Sequence, residues 1–246
     1  MNLDLTGRVA VITGASSGIG AATARSLSAH GAAVVLLARR GDRIQALQQE
    51  LSDAGRSALA IEADVTDAAS LQRAVVGARE LGRVDLLVNN AGVMLLSPFE
   101  EGHVAEWKQM VDVNVTGVLL TTNAFLDDLR DGGGDIVNIS SVAGRTSGRN
   151  ASVYNATKWG LVGWSDALRM ELQEQDVRVG LVEPGAVATE LTDHITSETA
   201  IAGFKSRFDD MKILESEDIA DAVLYMASRP RHAAVNEILV RPALQP

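Results

Sequence analysis

The sequence of 246 residues contains no cysteine, which excludes disulfide bonds and thiolate catalysis. Its four histidines lie far apart without the spacing of metal ligands, so we expect no metal site. No apolar run is long enough to cross a bilayer, and no charged leader precedes the first buried-strand pattern. These absences predict a cytoplasmic protein with neither a membrane span nor an export signal.

Positive charge is also scarce. There are 22 lysines and arginines against 32 aspartates and glutamates, which gives a formal net charge of −10 at pH 7. Because no basic cluster creates an opposing patch, this surface would repel phosphate backbones and anionic membranes. We therefore expect neither nucleic acid nor membrane as a partner, and a small molecule as the substrate or ligand. A hydrophobic content of 46% is enough to build a substantial core.

Short β-branched runs alternate with helix-period segments along the chain, a rhythm typical of a parallel sheet. The predicted strands are Val9–Thr13, Ala33–Ala38, Ala58–Glu62, Leu86–Asn89, Asp135–Ser140, Val177–Glu183 and Glu237–Val240. The predicted helices are Gly20–His30, Asp42–Ala54, Ala68–Leu81, Val104–Arg130, Ser152–Gln175 and Ser216–Ser228. No linker divides the chain, so we predict one α/β domain over residues 1–246, with about seven strands doubly wound and helices on both faces.

The rhythm breaks between about residues 186 and 213, where polar residues separate the sixth predicted strand from the last helix. Long excursions in compact domains are usually functional, which favours a lid or substrate loop. A plain surface insertion is the alternative.

A glycine-rich turn, Thr-Gly-Ala-Ser-Ser-Gly-Ile-Gly, joins the first strand to the first helix. Glycines allow close backbone approach, and the free N–H groups of a helix N-terminus attract anions, so this turn suits a pyrophosphate. A structural turn without a ligand is the alternative reading. The predicted phosphate-binding residues are Gly14, Ser16, Ser17, Gly18, Ile19 and Gly20.

The residues at the end of the second strand should determine whether the protein binds NAD or NADP. Ala38 leaves the usual place of a ribose-binding acid empty, and Arg39 and Arg40 follow it. An arginine there can hold a 2′-phosphate, so we predict NADP(H) over NAD; the alternative is that both arginines only begin a solvated loop. Other strand ends should border the nucleotide. They carry Asp64 and Val65 after the third strand, and Asn90, Ala91 and Gly92 after the fourth.

A tyrosine and a lysine four residues apart, Tyr154 and Lys158, would share one face of a helix. A nearby positive charge favours a phenolate, so we expect the lysine to lower the tyrosine pKa and let it both give and take a proton. Alone, the pair is equally compatible with an ordinary surface helix. Ser141, thirteen residues upstream, could hydrogen-bond the same carbonyl oxygen, with Ser140 as its nearest competitor. Asn114 is a polar residue in an apolar run and could hold a water connecting the lysine to solvent.

Together, T-G-x-x-x-G-x-G, N-N-A-G, the asparagine, the serine and Y-x-x-x-K resemble the short-chain dehydrogenase/reductase family, over essentially the whole chain. The resemblance implies a Rossmann-type fold, a catalytic tetrad and a homotetramer or homodimer built on two long helices. The implied tetrad is Asn114, Ser141, Tyr154 and Lys158, and Lys158 would also bind the nicotinamide ribose. The implied cofactor residues further along the chain are Asn90, Pro184, Gly185, Val187 and Thr189.

Within that family, the non-glycine-rich C-terminus and the segments around Gly92 and Val142 look most like the branch with clavulanate dehydrogenase and NADP-dependent serine and 3-hydroxy acid dehydrogenases. This implies reduction of an aldehyde or ketone, or the reverse oxidation of an alcohol. Two alternatives remain: an NADP-dependent 3-hydroxy acid or serine dehydrogenase, and a non-catalytic NADPH-sensing regulator.

The substrate pocket should lie between the segment after the fourth strand, the turn at residues 145–150 and the excursion at residues 190–195. Arg145 and Arg149 are both candidates to bind a substrate carboxylate. The residues expected to contact the substrate are Met94, Leu96, Ser141, Arg145, Arg149, Tyr154 and Leu191.

Overall fold

Seven strands form one sheet in the computed structural model, which describes residues 3–208 and 211–245. They are β1 (Val9–Thr13), β2 (Ala33–Ala38), β3 (Ala58–Glu62), β4 (Leu86–Asn89), β5 (Gly134–Ile139), β6 (Val177–Pro184) and β7 (Glu237–Val240). All pairs are parallel and the order is β3-β2-β1-β4-β5-β6-β7. The predicted doubly wound parallel sheet is confirmed, since the order reverses between β1 and β4.

Helices cover both faces of this sheet. They are α1 (Gly18–Ala29), α2 (Gly41–Asp53), α3 (Ala68–Ala78), α4 (Val104–Val111), α5 (Gly117–Arg130), α6 (Ser152–Leu172), α7 (Glu198–Phe208) and α8 (Ser216–Ala227). In the described part of the chain, none of these helices has the length and apolar character needed to cross a membrane.

Alternation along the strands creates two cores. Ala10 and Ile12 of β1 pack on one face with residues of α1, α2 and α8, whereas Val9 and Val11 pack on the other with α3, α5 and α6. Successive side chains of a strand point to opposite faces, so strands buried on both sides read as continuous apolar runs.

The helical segment predicted over Val104–Arg130 is not a uniform helix. A π-helical turn, Asp112–Thr116, separates α4 from α5 and carries Asn114. Apolar periodicity does not reveal such a turn, because one wide turn barely shifts the pattern.

The excursion at residues 186–213 is more ordered than a loop. It contains a bridge between Val187 and Leu214, a 3₁₀ turn at Glu190–His194 and the helix α7; residues 209 and 210 lie outside the described residues. Its buried residues Ile195 and Ala200 share an apolar cluster with Tyr154. Residues 186–208 therefore pack against the predicted reaction centre, and we call them the lid; that they act as a lid or substrate loop stays a prediction.

An ion cluster fixes the opposite edge of the sheet, at the amino ends of the strands. Asp135 is 4% exposed and accepts from Arg178 at 2.6 Å, Arg8 at 2.9 Å and Arg231 at 3.1 Å. Arg8 also binds Asp85 at 2.8 Å. One buried carboxylate thus links the strands β5 and β6 to the segment before β1.

Replacing this carboxylate should destabilise the fold. We expect Asp135→Asn to lower the free energy of unfolding by about 3 kcal/mol, because the partly buried guanidinium of Arg178 loses its carboxylate partner and Arg8 and Arg231 each lose one of two. Urea unfolding followed by circular dichroism measures the change. Asp221→Asn, at an exposed position of α8, is the control and should stay within about 0.5 kcal/mol of the wild type. Equal stability of the two variants would contradict a structural role for the cluster.

Candidate active site

A cavity of about 750 Å³ opens at the carboxyl ends of the strands, where the crevice of a doubly wound sheet binds ligands. It runs from the glycine turn to the lid. The predicted residues that line it are Gly14, Ser16, Ser17, Gly18, Ile19, Arg39, Arg40, Asp64, Val65, Asn90, Ala91, Gly92, Met94, Leu96, Ser141, Arg149, Tyr154, Lys158, Pro184, Gly185, Val187, Thr189 and Leu191. Three predicted residues, Gly20, Asn114 and Arg145, do not line it.

A threonine and an asparagine fasten the glycine turn to the end of β4. Thr13 Oγ1 accepts from the backbone N–H groups of Asn90 at 2.9 Å and Ala91 at 3.0 Å, and Asn90 Nδ2 donates to Thr13 O at 2.9 Å. A Cβ on Gly14 would lie 2.9 Å from Ala91 Cα, and one on Gly20 would lie 2.5 Å from Asn90 Nδ2. The absence of side chains here therefore serves packing, and Gly20 supports the turn from behind rather than facing the cavity.

The turn fits the diphosphate of a dinucleotide. Gly18 has a φ of +51°, which favours glycine, and a Cβ there would lie 3.1 Å from Thr189 Cγ2 of the lid. Ser17, the N-cap of α1, makes no side-chain capping bond, so the first N–H groups of the helix remain available to an anion. The residues present thus form a site that a nicotinamide dinucleotide fits.

Tyr154 and Lys158 lie on α6 and are both buried. Lys158 Nζ donates to Ile139 O at 3.0 Å and lies 5.8 Å from the centre of the Tyr154 ring. Burial lowers the pKa of Lys158 to about 8. At pH 7 the ammonium therefore still predominates, but it is easily deprotonated.

The expected lowering of the tyrosine pKa is wrong. Burial raises the pKa of Tyr154 to about 12, and a hydrogen bond with Ser141, which lowers it, only partly offsets this effect. Desolvation of a phenolate in this apolar cluster is the dominant cause. At neutral pH the side chain is a protonated phenol, ready to donate.

Ser141 is placed by a short turn at the end of β5. Its Oγ accepts from Ala143 N at 3.1 Å, which caps the 3₁₀ helix Val142–Gly144, and the hydroxyl lies within hydrogen-bonding reach of both Pro184 O, at 3.5 Å, and Tyr154. Ser140, the competing candidate, is also buried in the cavity wall, and its hydroxyl has no hydrogen-bond partner among the described residues.

Asn114 is engaged by protein at both ends of its amide. Its Oδ1 accepts from Val93 N at 2.8 Å, and its Nδ2 donates to Val93 O at 2.8 Å and Thr157 Oγ1 at 3.3 Å. The expectation that its side chain holds a water beside Lys158 stays a prediction, and the second lone pair of Oδ1 would have to accept that bond. The amide joins the segment after β4 to α6.

Arg145 also requires a correction. It does not line the cavity; its guanidinium binds the buried Glu183 at 2.8 Å and also Glu237. Both carboxylates raise its pKa above the ordinary value, chiefly through hydrogen bonds. Its charge is already neutralised by protein, so the expectation that it binds a substrate carboxylate is wrong and Arg149 remains the candidate.

Sequence reasoning missed several residues that shape the cavity. Asn155 Nδ2 donates to Ala143 O at 2.7 Å and Thr146 O at 2.8 Å, which holds the turn before α6 in place. Arg207 of α7 lines the substrate end, with Nη1 3.8 Å from where a Cβ on Gly148 would stand. Asn155 lies inside the Tyr-to-Lys motif and could have been noticed, whereas only the helical lid reveals Arg207.

Comparison with known proteins defines the class. The family model described as short chain dehydrogenase matches residues 8–200, and the chain belongs to this family. It is accordingly an oxidoreductase that uses a nicotinamide dinucleotide. A glycine betaine reductase of Emericella nidulans is 41% identical over 244 residues, which are 98% of this chain but only 19% of the length of that protein.

Solved structures agree with this assignment. A closed form of serine dehydrogenase complexed with NADP+ superposes with a TM-score of 0.89 at 30% identity, covering 97% of this chain and 96% of that one. A metagenomic short-chain oxidoreductase in complex with NADP superposes with a TM-score of 0.82 at 36% identity, covering 98% and 99%.

The burial of Lys158 predicts a pH-dependent stability. Its folded pKa of about 8 lies below the unfolded value of 10.5, so the folded state binds fewer protons between these values and stability rises with pH there. Below pH 8, burial of the charged Lys158 lowers the free energy of unfolding by about 3 kcal/mol. We expect the stability advantage of Lys158→Met over the wild type to shrink as pH rises from 7 to 10, measured by urea unfolding. A pH-independent difference would contradict the lowered pKa.

Proposed function

We propose that the protein is an NADPH-dependent reductase of aldehydes or ketones, which also catalyses the reverse oxidation of alcohols. The observation that carries this proposal is a buried, protonated Tyr154 beside Ser141 in the wall of a cavity whose other end is a phosphate-binding turn. A proton donor and a dinucleotide site in one cavity are the two requirements for carbonyl reduction.

The side chains divide the work as follows. A nicotinamide dinucleotide held by the glycine turn would supply the hydride for the carbonyl carbon. Tyr154 gives its proton to the carbonyl oxygen as negative charge develops there, and Ser141 donates a hydrogen bond to the same oxygen. Lys158 holds a positive charge near the phenol and would also bind the nicotinamide ribose. Asn114 acts through α6 and keeps these groups in position.

NADPH is preferred over NADH in this proposal. Arg39 and Arg40 both line the cavity beyond β2, and Ala38 offers no carboxylate to ribose hydroxyls. Arginines suit a 2′-phosphate because they carry a fixed charge and several N–H donors. The NADP-bound structures that this chain resembles support the same choice.

The substrate end is apolar with a cationic rim. Met94, Leu96 and Leu191 give apolar walls, and Arg149 and Arg207 add positive charge from two sides. Neither arginine has a carboxylate partner among the described residues. We propose carbonyl substrates that bear a carboxylate, which includes 3-oxo acids and their 3-hydroxy acid or serine-like products. Clavulanate-dehydrogenase-like reduction of an aldehyde on an anionic molecule fits the same chemistry.

Self-association is a further part of the proposal. Val104 and Val111 of α4, Leu119 of α5 and Trp159 and Met170 of α6 are large apolar side chains between 38% and 64% exposed. Apolar faces on these adjacent helices suit contact with a second copy, so we propose a homodimer or homotetramer. The acidic surface favours a cytoplasmic enzyme with neither a membrane nor a nucleic acid as partner.

A non-catalytic NADPH sensor is the competing function. It would need the phosphate-binding turn but neither Ser141 nor Tyr154, and this chain keeps both in contact. NADPH absorbance separates the two functions. It is followed with NADPH and a panel of aldehydes and ketones, and with NADP+ and a panel of 3-hydroxy acids. Binding of NADPH without turnover across the panel would favour the sensor.

Removing one hydroxyl tests the proton donor. We expect Tyr154→Phe to lower kcat by about 10²- to 10⁴-fold, because the developing alkoxide loses its proton source. NADPH affinity, measured by fluorescence, should change little. The control is Tyr225→Phe, which alters the partly exposed tyrosine of α8 and should keep full activity. Retained turnover in Tyr154→Phe would refute the assigned role.

The cationic rim is tested with a pair of substrates. For a 3-oxo acid, Arg149→Gln should raise KM about tenfold, because a charge-assisted hydrogen bond to the carboxylate is lost. The corresponding methyl ester should keep its KM. Arg73→Gln, at an exposed position of α3 outside the cavity, is the control for charge. Equal effects on acid and ester would show that Arg149 does not bind the carboxylate.

A further inference from the structure

A carboxylate of the lid is bound to the arginines near the adenosine end of the cavity. Glu190, at the start of the 3₁₀ turn Glu190–His194, accepts from Arg40 Nη1 at 2.7 Å and from Arg43 Nη1 at 2.7 Å. Arg40 follows β2, and Arg43 lies in the first turn of α2. These ion pairs therefore join the lid to the far side of the nucleotide groove.

Arg40 connects three parts of the site at once. Its Nη2 donates to Ser16 Oγ at 2.9 Å and Ser17 Oγ at 2.6 Å in the glycine turn, while Nη1 holds Glu190. A phosphate on the 2′ position of the cofactor must find its counter-charge among the arginines that follow β2. Glu190 occupies one of them, Arg40, so a phosphate bound there would compete with the carboxylate for the same guanidinium.

The relative strengths of the two interactions favour exchange of the Glu190 carboxylate for a phosphate on Arg40. Hydrogen bonds from Arg40 and Arg43 lower the pKa of Glu190 to about 2, so the carboxylate is ionised throughout the working range and the contact does not depend on pH. The side chains of Arg40 and Glu190 are 39% and 43% exposed, and ion pairs this exposed are weak. A phosphate carries close to two charges and three acceptor oxygens, so it binds a guanidinium more strongly than one carboxylate does.

We propose that Glu190 is a specificity-determining residue that is exchanged for the 2′-phosphate of NADP(H) on Arg40, so that recognition of this phosphate loosens the lid and leaves it tied to α2 by Arg43 alone. The inference rests on the proposed use of NADPH. It assigns the lid a role at the cofactor end, in addition to its contacts with the substrate.

The exchange matters for the lid because of what surrounds Glu190. Thr189, the preceding residue, approaches Gly18 of the glycine turn, and Leu191 lines the substrate end. One turn of chain therefore touches the phosphate site, the arginines and the substrate walls. A cofactor without the 2′-phosphate would leave Glu190 bound and the turn tied to Arg40 and Arg43.

Fragment binding tests the competition without turnover. The probes are adenosine 2′,5′-bisphosphate and 5′-AMP, which differ only in the 2′-phosphate, measured by calorimetry. We expect Glu190→Gln to bind the bisphosphate about three- to tenfold more tightly, the range expected when one or two exposed ion pairs need not be broken. Its affinity for 5′-AMP should be unchanged.

Glu50→Gln is the matched control. Glu50 also forms an exposed pair with an arginine, Arg25, at 2.7 Å, and lies outside the cavity. The substitution removes the same charge, so it should leave the affinity for both fragments unchanged. An equal gain in affinity for the bisphosphate in both variants would show that the effect comes from net charge alone, and this would overturn the exchange. Weaker or unchanged binding of the bisphosphate by Glu190→Gln would overturn it too.

Hydrogen–deuterium exchange provides the second measurement. In the wild type, the bisphosphate should speed amide exchange across residues 190–195, whereas 5′-AMP should not. Glu190→Gln should exchange quickly without either fragment. If the bisphosphate slows exchange there in the wild type, the phosphate does not loosen the lid.

The outcomes also separate this inference from the proposed function. If the wild type binds both fragments equally, the preference for NADPH fails and the exchange fails with it. If the wild type prefers the bisphosphate but Glu190→Gln behaves like Glu50→Gln, NADPH remains the cofactor and only the exchange is refuted.

Discussion

The hydrogen bonds between Thr13 and Asn90 are the constraint on which the rest of the site depends. They join the ends of β1 and β4, the two strands between which the order of the sheet reverses. Parallel strands on either side send their crossovers in opposite directions, so a crevice opens there. Because the bonds involve backbone atoms at both strand ends, the glycine turn and the segment that begins the substrate wall are fixed relative to each other.

From this junction, one chain of contacts leads to the reacting groups. The segment after β4 reaches Val93, whose backbone is held by both ends of the Asn114 amide. Asn114 Nδ2 also donates to Thr157 Oγ1, which in turn donates to Tyr154 O at 2.7 Å. The π-helical turn places the asparagine between these two elements. A side chain that does not line the cavity thus fixes the segment after β4 relative to the helix that carries the tyrosine.

The fold and the motif positions could be predicted from the sequence because both depend on local patterns. Seven apolar runs, the glycine turn and the Tyr-to-Lys spacing are each contained within a few residues. The pairing of Arg145 with Glu183 joins residues 38 apart, and Glu190 meets Arg40 across 150 positions, so neither leaves a local signal. The tyrosine pKa was mispredicted for a related reason: spacing reveals the neighbouring charge, whereas desolvation depends on every element that packs around the ring.

Burial of Tyr154 links the lid to the chemistry. The ring belongs to an apolar cluster completed by Ile195 and Ala200 of the lid, and this burial keeps the tyrosine pKa near 12. If the lid separated from the cluster, water would reach the phenol and its pKa would fall toward the ordinary value of about 10. The ion pairs of Glu190 act on the same segment. An exchange at Arg40 would therefore change how readily water enters beside the proton donor, which couples recognition of the cofactor to the strength of the acid.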